Sequence, residues 1–307
     1  MLRSVLLWLS RNKIVRRWTT RWGFVRRAAR RFVAGDSIED AIQAIRELRV
    51  LGISATLDHL GENVETAADA TRATEDYLKA LDAIGTSGVQ SHVSIKLTAL
   101  GLDLGDDVCR ANVVRILARA KEIGTLVTID MESTEYTSRT LAIFRDLRRE
   151  FDNVGIVIQA YLYRSEADIA ALCQEGAHVR LCKGAYKEPP IYAFPKKGDV
   201  DASYVRLMKM LLSAEARAHK TYGAIATHDV NMIEATRQYA QTQLVPRDEF
   251  EFQMLHGIRR DLQKELAADG YRMRVYVPYG TEWYPYYIRR LAERPANIWF
   301  IVSNFFR

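Results

Sequence analysis

From about residue 52 onward, short apolar runs alternate with longer stretches in which apolar residues return every three or four positions. The first pattern fits β-strands and the second fits helices with one buried face. The strand candidates are SATLDHL, HVSIKLTAL, LVTIDM, VGIVIQAYL, HVRLCKGAY, GAIATHD, FEFQMLHG and RVYVPYG, eight in all. Between them lie helical segments such as VETAADATRATEDYLKALDAI, DVCRANVVRILARAKEI and DASYVRLMKMLLSAEARAH. Parallel strands need crossover connections, and a strand followed by a helix eight times over is the pattern of a closed barrel. The expected architecture is therefore α/β: a distorted (βα)8 TIM-type barrel with an N-terminal helical extension. Residues 1–50 are assigned to the extension and residues 51–307 to the barrel.

The extension changes the reading of charge. The chain carries a formal charge of +6, yet its first 31 residues hold nine Arg, one Lys and no acidic residue. Without those ten cations, 34 basic residues face 38 acidic ones, so the body is mildly acidic. Apolar and arginine residues interleave there at helical spacing. The longest apolar run, VLLWL, is too short to cross a bilayer, which takes about 20 residues. Four uses remain open. The segment suits a helical cap packing Trp8, Trp18 and Trp22 on the body, or an amphipathic helix on an anionic membrane. It also suits an organelle transit peptide or a nucleic-acid arm.

Composition narrows the chemistry. A chain of 307 residues with 48% hydrophobic and 27% charged content buries a large core and is globular. Cys109, Cys173 and Cys182 are odd in number without C-x-x-C spacing, which points away from disulfides and toward a reducing compartment. The six histidines form no H-x-H or H-E-x-x-H pair, so no metal is expected. No G-x-G-x-x-G, G-x-x-x-x-G-K-[ST] or G-x-S-x-G occurs, which removes the signatures of Rossmann, P-loop and α/β-hydrolase sites.

In a (βα)8 barrel, chemistry gathers at the C-terminal ends of the strands. The residues closing the strand candidates are Asp58 with Glu62, Lys96, Asp130, Gln159, Arg180 with Lys183, Thr227 with His228, Gln253, and Tyr276. So many ionisable groups at strand ends describe a pocket of mixed charge. Lys96 fits a Schiff-base nucleophile, a cation for a substrate carboxylate, or an ion-paired structural lysine, and its position does not choose among them. After a Tyr-rich loop, the closing stretch RVYVPYGTEWYPYYIRRLAERP sets Arg289, Arg290 and Glu293 on a helix. Arginine suits bidentate capture of a carboxylate. Neighbouring helical residues point about 100° apart, so the two share an anion only if the helix end faces it. A solvated basic helix face is the alternative.

The motifs VSIKLTALG, TIDMES, GIVIQAYLYR, VRLCKGAYKE, ATHD, FEFQMLHG, YVPYG and YYIRRLAERP, in this order, resemble the proline dehydrogenases of the short, single-function bacterial type. The resemblance runs from about Ser54 to the end. It implies oxidation of L-proline to Δ1-pyrroline-5-carboxylate by hydride transfer to FAD, with the electrons passed to a quinone, as the first step of proline catabolism to glutamate. Asp130, Arg180 and Tyr276 take catalytic positions. Lys96, Arg289 and Arg290 match the carboxylate ligands, while Tyr286, Leu255 and Ala185, with Tyr276, match the wall around the ring. Glu62 matches a gate that pairs with Arg289. Met131, Gln159, Arg180, Cys182, Lys183, Gly184, Ala185, Tyr186, Thr227, His228 and Glu293 match the FAD site. A separate pyrroline-5-carboxylate dehydrogenase is the implied metabolic partner, with no role for nucleic acid. The implied location is cytoplasmic, with the quinone calling for peripheral contact at the inner face of the cytoplasmic membrane. A Schiff-base aldolase using Lys96 and a basic adaptor with a degenerate barrel are the rivals, and both predict a protein without flavin.

Overall fold

The structure is a computed structural model whose described residues are 26–27, 29–61 and 64–293. The eight expected strands form: β1 Ser54–His59, β2 Ser91–Ile95, β3 Val127–Ile129, β4 Val154–Gln159, β5 His178–Cys182, β6 Tyr222–Ala226, β7 Phe250–Leu255 and β8 Met273–Tyr279. All are parallel, pair in chain order, and close through β8 onto β1. Side chains alternate across a strand, and here the alternation sorts them by chemistry. Val93, Ile95, Val127, Ile129, Ile156, Ile158, Val179 and Leu181 belong to the apolar core shared with the helices. Ser94, Arg180 and Tyr276 lie on the other face, because bonds linking β5 to β2, and β8 to the end of β3, must cross the lumen.

The helices are α1 Ile38–Val50, α2 Ala67–Ser87, α3 Asp106–Glu122, α4 Thr134–Arg148, α5 Ser165–Gln174, α6 Lys197–Leu211, α7 Ala214–Ala218, α8 Val230–Thr242, α9 Arg260–Ala268 and α10 Trp283–Glu293. Helix α1 starts at a capping box, in which Ser37 Oγ accepts from the Asp40 N–H and the Asp40 carboxylate accepts from the Ser37 N–H, so two otherwise unpaired donors are satisfied. Its face of Ala41, Ile42, Ala44, Ile45 and Leu48 enters the barrel core and packs on β1 and β8. Residues 38–50, counted with the extension in the sequence reading, thus share one core with the strands.

That packing displaces the last helix. In a regular barrel the helix after β8 would cover β8 and β1, the flank that α1 occupies. Helix α10 instead packs Trp283, Tyr284, Tyr286, Tyr287 and Ile288 against Ala29, Phe32, Val33, Leu60 and Ile258, a cluster separate from the main core. Leu60 follows β1 and Ile258 follows β7, so α10 sits on the C-terminal rim. The rim is fastened by backbone bonds from Ala34 N–H to Pro278 O (2.9 Å), Leu60 N–H to Tyr279 O (2.8 Å) and Gly280 N–H to Gly35 O (2.9 Å). Among the described residues no helix is long and apolar enough to cross a membrane, and no group of His, Cys, Asp and Glu is arranged to hold a metal.

Candidate active site

The lumen is polar in two layers. In the lower one, Arg274 Nε donates to both Glu251 oxygens (2.8 and 3.0 Å) and its Nη1 donates to Ala55 O (2.7 Å). Burial works to raise the Glu251 carboxyl, but Arg274, helped by His178 and Gln253, brings the net shift downward. Gln253 Nε2 also donates to Glu251. His92 and His178 approach edge to face in the same layer. Burial pushes His178 down to about 4 and holds His92 well below its usual range, so both rings are neutral near pH 7.

One step toward the strand ends, Arg180 reaches across the lumen, where its Nη1 donates to Ser94 Oγ (2.9 Å) and Asp130 Oδ1 (2.7 Å). The Tyr276 hydroxyl donates to Asp130 Oδ2 (2.8 Å), and the Arg180 guanidinium lies 5.4 Å from the centre of the Tyr276 ring. Burial, then the nearby Asp130 charge, pushes the Tyr276 phenol well above its ordinary value, which keeps it protonated and a donor. Asp130 is placed by its own N–H, which donates to Ile95 O at the end of β2 (2.8 Å). Lys96 Nζ stands 3.3 Å from both oxygens of Asp58, which is almost fully buried. Burial raises the Asp58 carboxyl, Lys96 opposes that, and Asp130 adds to it. Lys96 paired with a buried Asp58 suits a cation for a substrate carboxylate or an ion-paired structural lysine better than the free amine that a Schiff base requires.

Around the lumen lie the positions matched to a cofactor. Gln159 Nε2 donates to Glu132 O (2.8 Å). The Glu132 carboxylate accepts from Thr98 N–H (3.1 Å) and Oγ1 (2.6 Å), and burial raises its carboxyl. His228 Nε2 accepts the Leu255 N–H at 2.9 Å, so the neutral imidazole carries its proton on Nδ1. Lys183 bonds both Asp201 and Asp229, the latter at 2.6 Å. Two of its three N–H donors are thereby used, leaving one. Burial pushes the Cys182 thiol up to about 12, which makes it a packing group rather than a nucleophile. Gly184 has φ +116°, and a Cβ there would stand 2.5 Å from the Tyr161 ring. Its lack of a side chain serves that ring contact as well as a positive φ. Met131 and Thr227 are buried, Leu255 is half-buried, and Ala185 and Tyr186 are exposed.

On α10, Tyr286 is buried, and Arg289 and Arg290 are half-buried rather than spread on a solvated face. The Arg290 guanidinium lies 5.1 Å from the Tyr286 ring centre. Glu62, the Glu293 side chain and the first 25 residues lie outside what the structure describes, and with them the Glu62–Arg289 pair and every reading of the basic segment. The structure brings Lys96, Asp130, Arg180 and Tyr276 into one cluster. It adds Ser94, Glu132, Asp201, Asp229 and the Glu251–Arg274 pair, none of which carried a role in the sequence reading, and it gives Asp58 a partner. Asp58 stood at a strand end, and Ser94, Glu132, Asp229 and Glu251 lay inside the quoted motifs, while Asp201 and Arg274 carried neither signal.

A parallel barrel with this cluster of cations, carboxylates and a phenol at its strand ends is an enzyme of the (βα)8 class. Comparison narrows the class: the chain belongs to the proline dehydrogenase family, whose sequence model matches residues 41–302. It is 45% identical to Proline dehydrogenase 1 of Bacillus subtilis (strain 168) over 305 residues, covering 99% of each chain. It is also 45% identical to the Proline dehydrogenase of Deinococcus radiodurans over 281 residues, covering 90% of this chain and 89% of that one. Among solved structures, proline utilization A (PutA) from Bdellovibrio bacteriovorus, inactivated by N-propargylglycine, superposes with a TM-score of 0.81 at 27% identity. The match covers 88% of this chain and 33% of that one. The chain is an oxidoreductase of proline metabolism.

Proposed function

We propose that the protein oxidises L-proline to Δ1-pyrroline-5-carboxylate with FAD as cofactor and a quinone as final electron acceptor. The observation that carries this reading is Arg180. Its Nη1 is committed to Ser94 and Asp130, while its Nε is buried with no hydrogen-bond partner among the described residues. A buried, unused guanidinium donor is costly, and an acceptor atom of a bound flavin would satisfy it. The other residues on that side fit as well: Lys183 keeps one donor for a phosphate, hydrogen bonds orient the Gln159 and His228 side chains, and Gly184 opens the backbone. With Met131, Cys182, Ala185, Tyr186, Thr227 and Glu293 these residues form the proposed FAD site.

When bound, FAD supplies the hydride acceptor. The protein's share is positioning and charge. Lys96, Arg289 and Arg290 hold the proline carboxylate, and Tyr276, Tyr286, Leu255 and Ala185 wall the ring, so that one ring carbon is presented in a fixed pose. Asp130, with one oxygen on Arg180 and the other on Tyr276, sets the position of both. Hydride loss needs the substrate amine in its neutral form, and Glu62, matched to a gate, would pair with Arg289 over the mouth and exclude water. A separate pyrroline-5-carboxylate dehydrogenase consumes the product. A lipid-borne quinone would call for peripheral contact of a cytoplasmic protein with the membrane.

The test is an absorption spectrum of the purified protein followed by anaerobic addition of L-proline. Bound flavin absorbs in the blue and is bleached by proline. A colourless protein that borohydride links to a carbonyl ligand, or a flavin that proline leaves unbleached, overturns the reading.

A further inference from the structure

The loop between β5 and α6 leaves the proposed cofactor site at Gly184–Tyr186 and raises an apolar patch at the surface. Ile191 is 75% exposed, Tyr192 50%, Tyr163 47% and Tyr186 41%. Pro189, Pro190 and Pro195 are exposed among them. The patch is held in this shape. Tyr163 N–H donates to Tyr192 O and the Tyr163 hydroxyl to Pro190 O, both at 3.0 Å; Leu162 bridges Ala193; and Phe194 N–H donates to Tyr161 O at 2.8 Å. The Tyr163 ring meets Phe194 edge to face, 4.7 Å between centres.

Charge around the patch is sorted. Glu188 turns inward, where its carboxylate accepts the Thr134 N–H at 2.9 Å. Lys187 and Lys196 are exposed and in no ion pair among the described residues, while Lys197, largely exposed, reaches back to Asp201 and Asp229. Asp199 is the exposed anion of the stretch. Tyrosines and an isoleucine with Lys187 and Lys196 beside them in the same loop match the interface of an anionic bilayer, where aromatic rings sit at headgroup depth and ammonium groups meet phosphate. Prolines suit that layer because they bring no backbone N–H to be stripped of water.

We propose that this patch is where the protein lies on an anionic phospholipid surface, with Ile191, Tyr192 and Tyr163 entering the interfacial layer and Lys187 and Lys196 on headgroup phosphates. Its purpose rests on the quinone reading above, since it would set the cofactor site beside a lipid-borne acceptor. The docking itself does not rest on that reading.

The experiment uses the full chain with an environment-sensitive dye on Ile191→Cys, the native cysteines being buried or half-buried. A second protein carries the dye on Leu244→Cys, 85% exposed in the turn that leads into β7 at the opposite end of the barrel. Each is mixed with vesicles of phosphatidylcholine alone or with added phosphatidylglycerol. The expected result is a blue shift, and quenching by lipid-borne quenchers, at position 191 with the anionic vesicles and no change at 244. Joint Lys187→Glu and Lys196→Glu replacement weakens vesicle affinity by about tenfold or more, while turnover with a soluble dye stays at the parent level. Binding that leaves the 191 dye unmoved means docking through another surface and overturns the proposal. So does a shift that needs no vesicles and grows with protein concentration, which marks a second copy as the occupant, or an affinity unchanged by charge reversal. Loss of turnover with soluble dye in the parent protein, with the 191 shift intact, would sink the catalytic reading alone.

Discussion

Replacing Asp130 by asparagine changes one atom in a cluster where both carboxylate oxygens are committed. Arg180, with a side chain only 6% exposed, receives its strongest acceptor from Oδ1 at 2.7 Å, and Tyr276 donates to Oδ2 at 2.8 Å. The amide offers one acceptor oxygen and an NH2 that repels whichever donor it faces. If the oxygen stays with Arg180, the bond survives without its charge, at a loss of about 1–2 kcal/mol given that charge-assisted bonds are roughly twice as strong as neutral ones. The Tyr276 hydroxyl then loses its acceptor while buried, which costs about 1–3 kcal/mol. Relief of the repulsion that raises the Asp58 carboxyl offsets part of this. The net expectation is about 2–4 kcal/mol, read as a fall in Tm of about 3–6 °C for a chain of this size. Dye-linked turnover should fall about 10²-fold in kcat/KM, because Arg180 and Tyr276 lose their common support. Tyr276→Phe provides the control: in a double-mutant cycle the two changes should couple by about 1 kcal/mol or more. Strict additivity together with an unchanged Tm would refute a cluster acting as one unit.

In the lower layer, Glu251→Gln leaves Arg274 charged and buried without its partner, so thermal melts should show a loss of about 3–5 kcal/mol, with Glu251→Met combined with Arg274→Met losing less than either single change. The same pair sets an acid limit. Because Arg274 holds the Glu251 carboxyl below its ordinary value, its contribution is present above about pH 4.5 and is lost as pH falls through the depressed folded value; wild type should lose stability in that window with a steeper slope than Glu251→Gln. Gly184→Ala brings a Cβ to 2.5 Å from the Tyr161 ring at φ +116°, a strain of about 1–3 kcal/mol. Flavin content after purification should drop, and an alanine variant that retains full cofactor and full stability would show that the loop has room to yield.

What the residue pattern reveals depends on which face of a strand it samples. The outward faces are runs such as Val93 and Ile95 or Val179 and Leu181, and the helices that cover them repeat at three and four, so the strand count and the barrel could be read directly. Asp58, Lys96, Asp130 and Arg180 stood out because each interrupts or ends such a run. Glu251 and Arg274 do the same near strand starts, yet there a charged residue reads as solvent-facing, and only closure of the barrel turns that face into a lumen. Asp201 and Asp229 reach Lys183 from different elements, a proximity that periodicity cannot carry. The packing of α1 on β8 and β1 was hidden for a related reason: an amphipathic stripe announces that a helix is covered, not what covers it.

That last point bears on how the site is built. A barrel's lumen is normally filled by apolar side chains, and here it is filled by charge instead, so the polar groups must satisfy one another or a ligand. In the lower layer Glu251 and Arg274 pair and the two histidines stay neutral, while His178 Nδ1 has no hydrogen-bond partner among the described residues. The upper layer is also incomplete, with the charged Arg180 leaving its Nε over. Because α1 takes the flank that the eighth helix would cover, α10 is free to lie on the rim, and it carries Tyr286, Arg289 and Arg290 to the C-terminal end of the barrel. A helix recruited from before the first strand therefore determines on which side of the barrel the arginines from after the last strand sit.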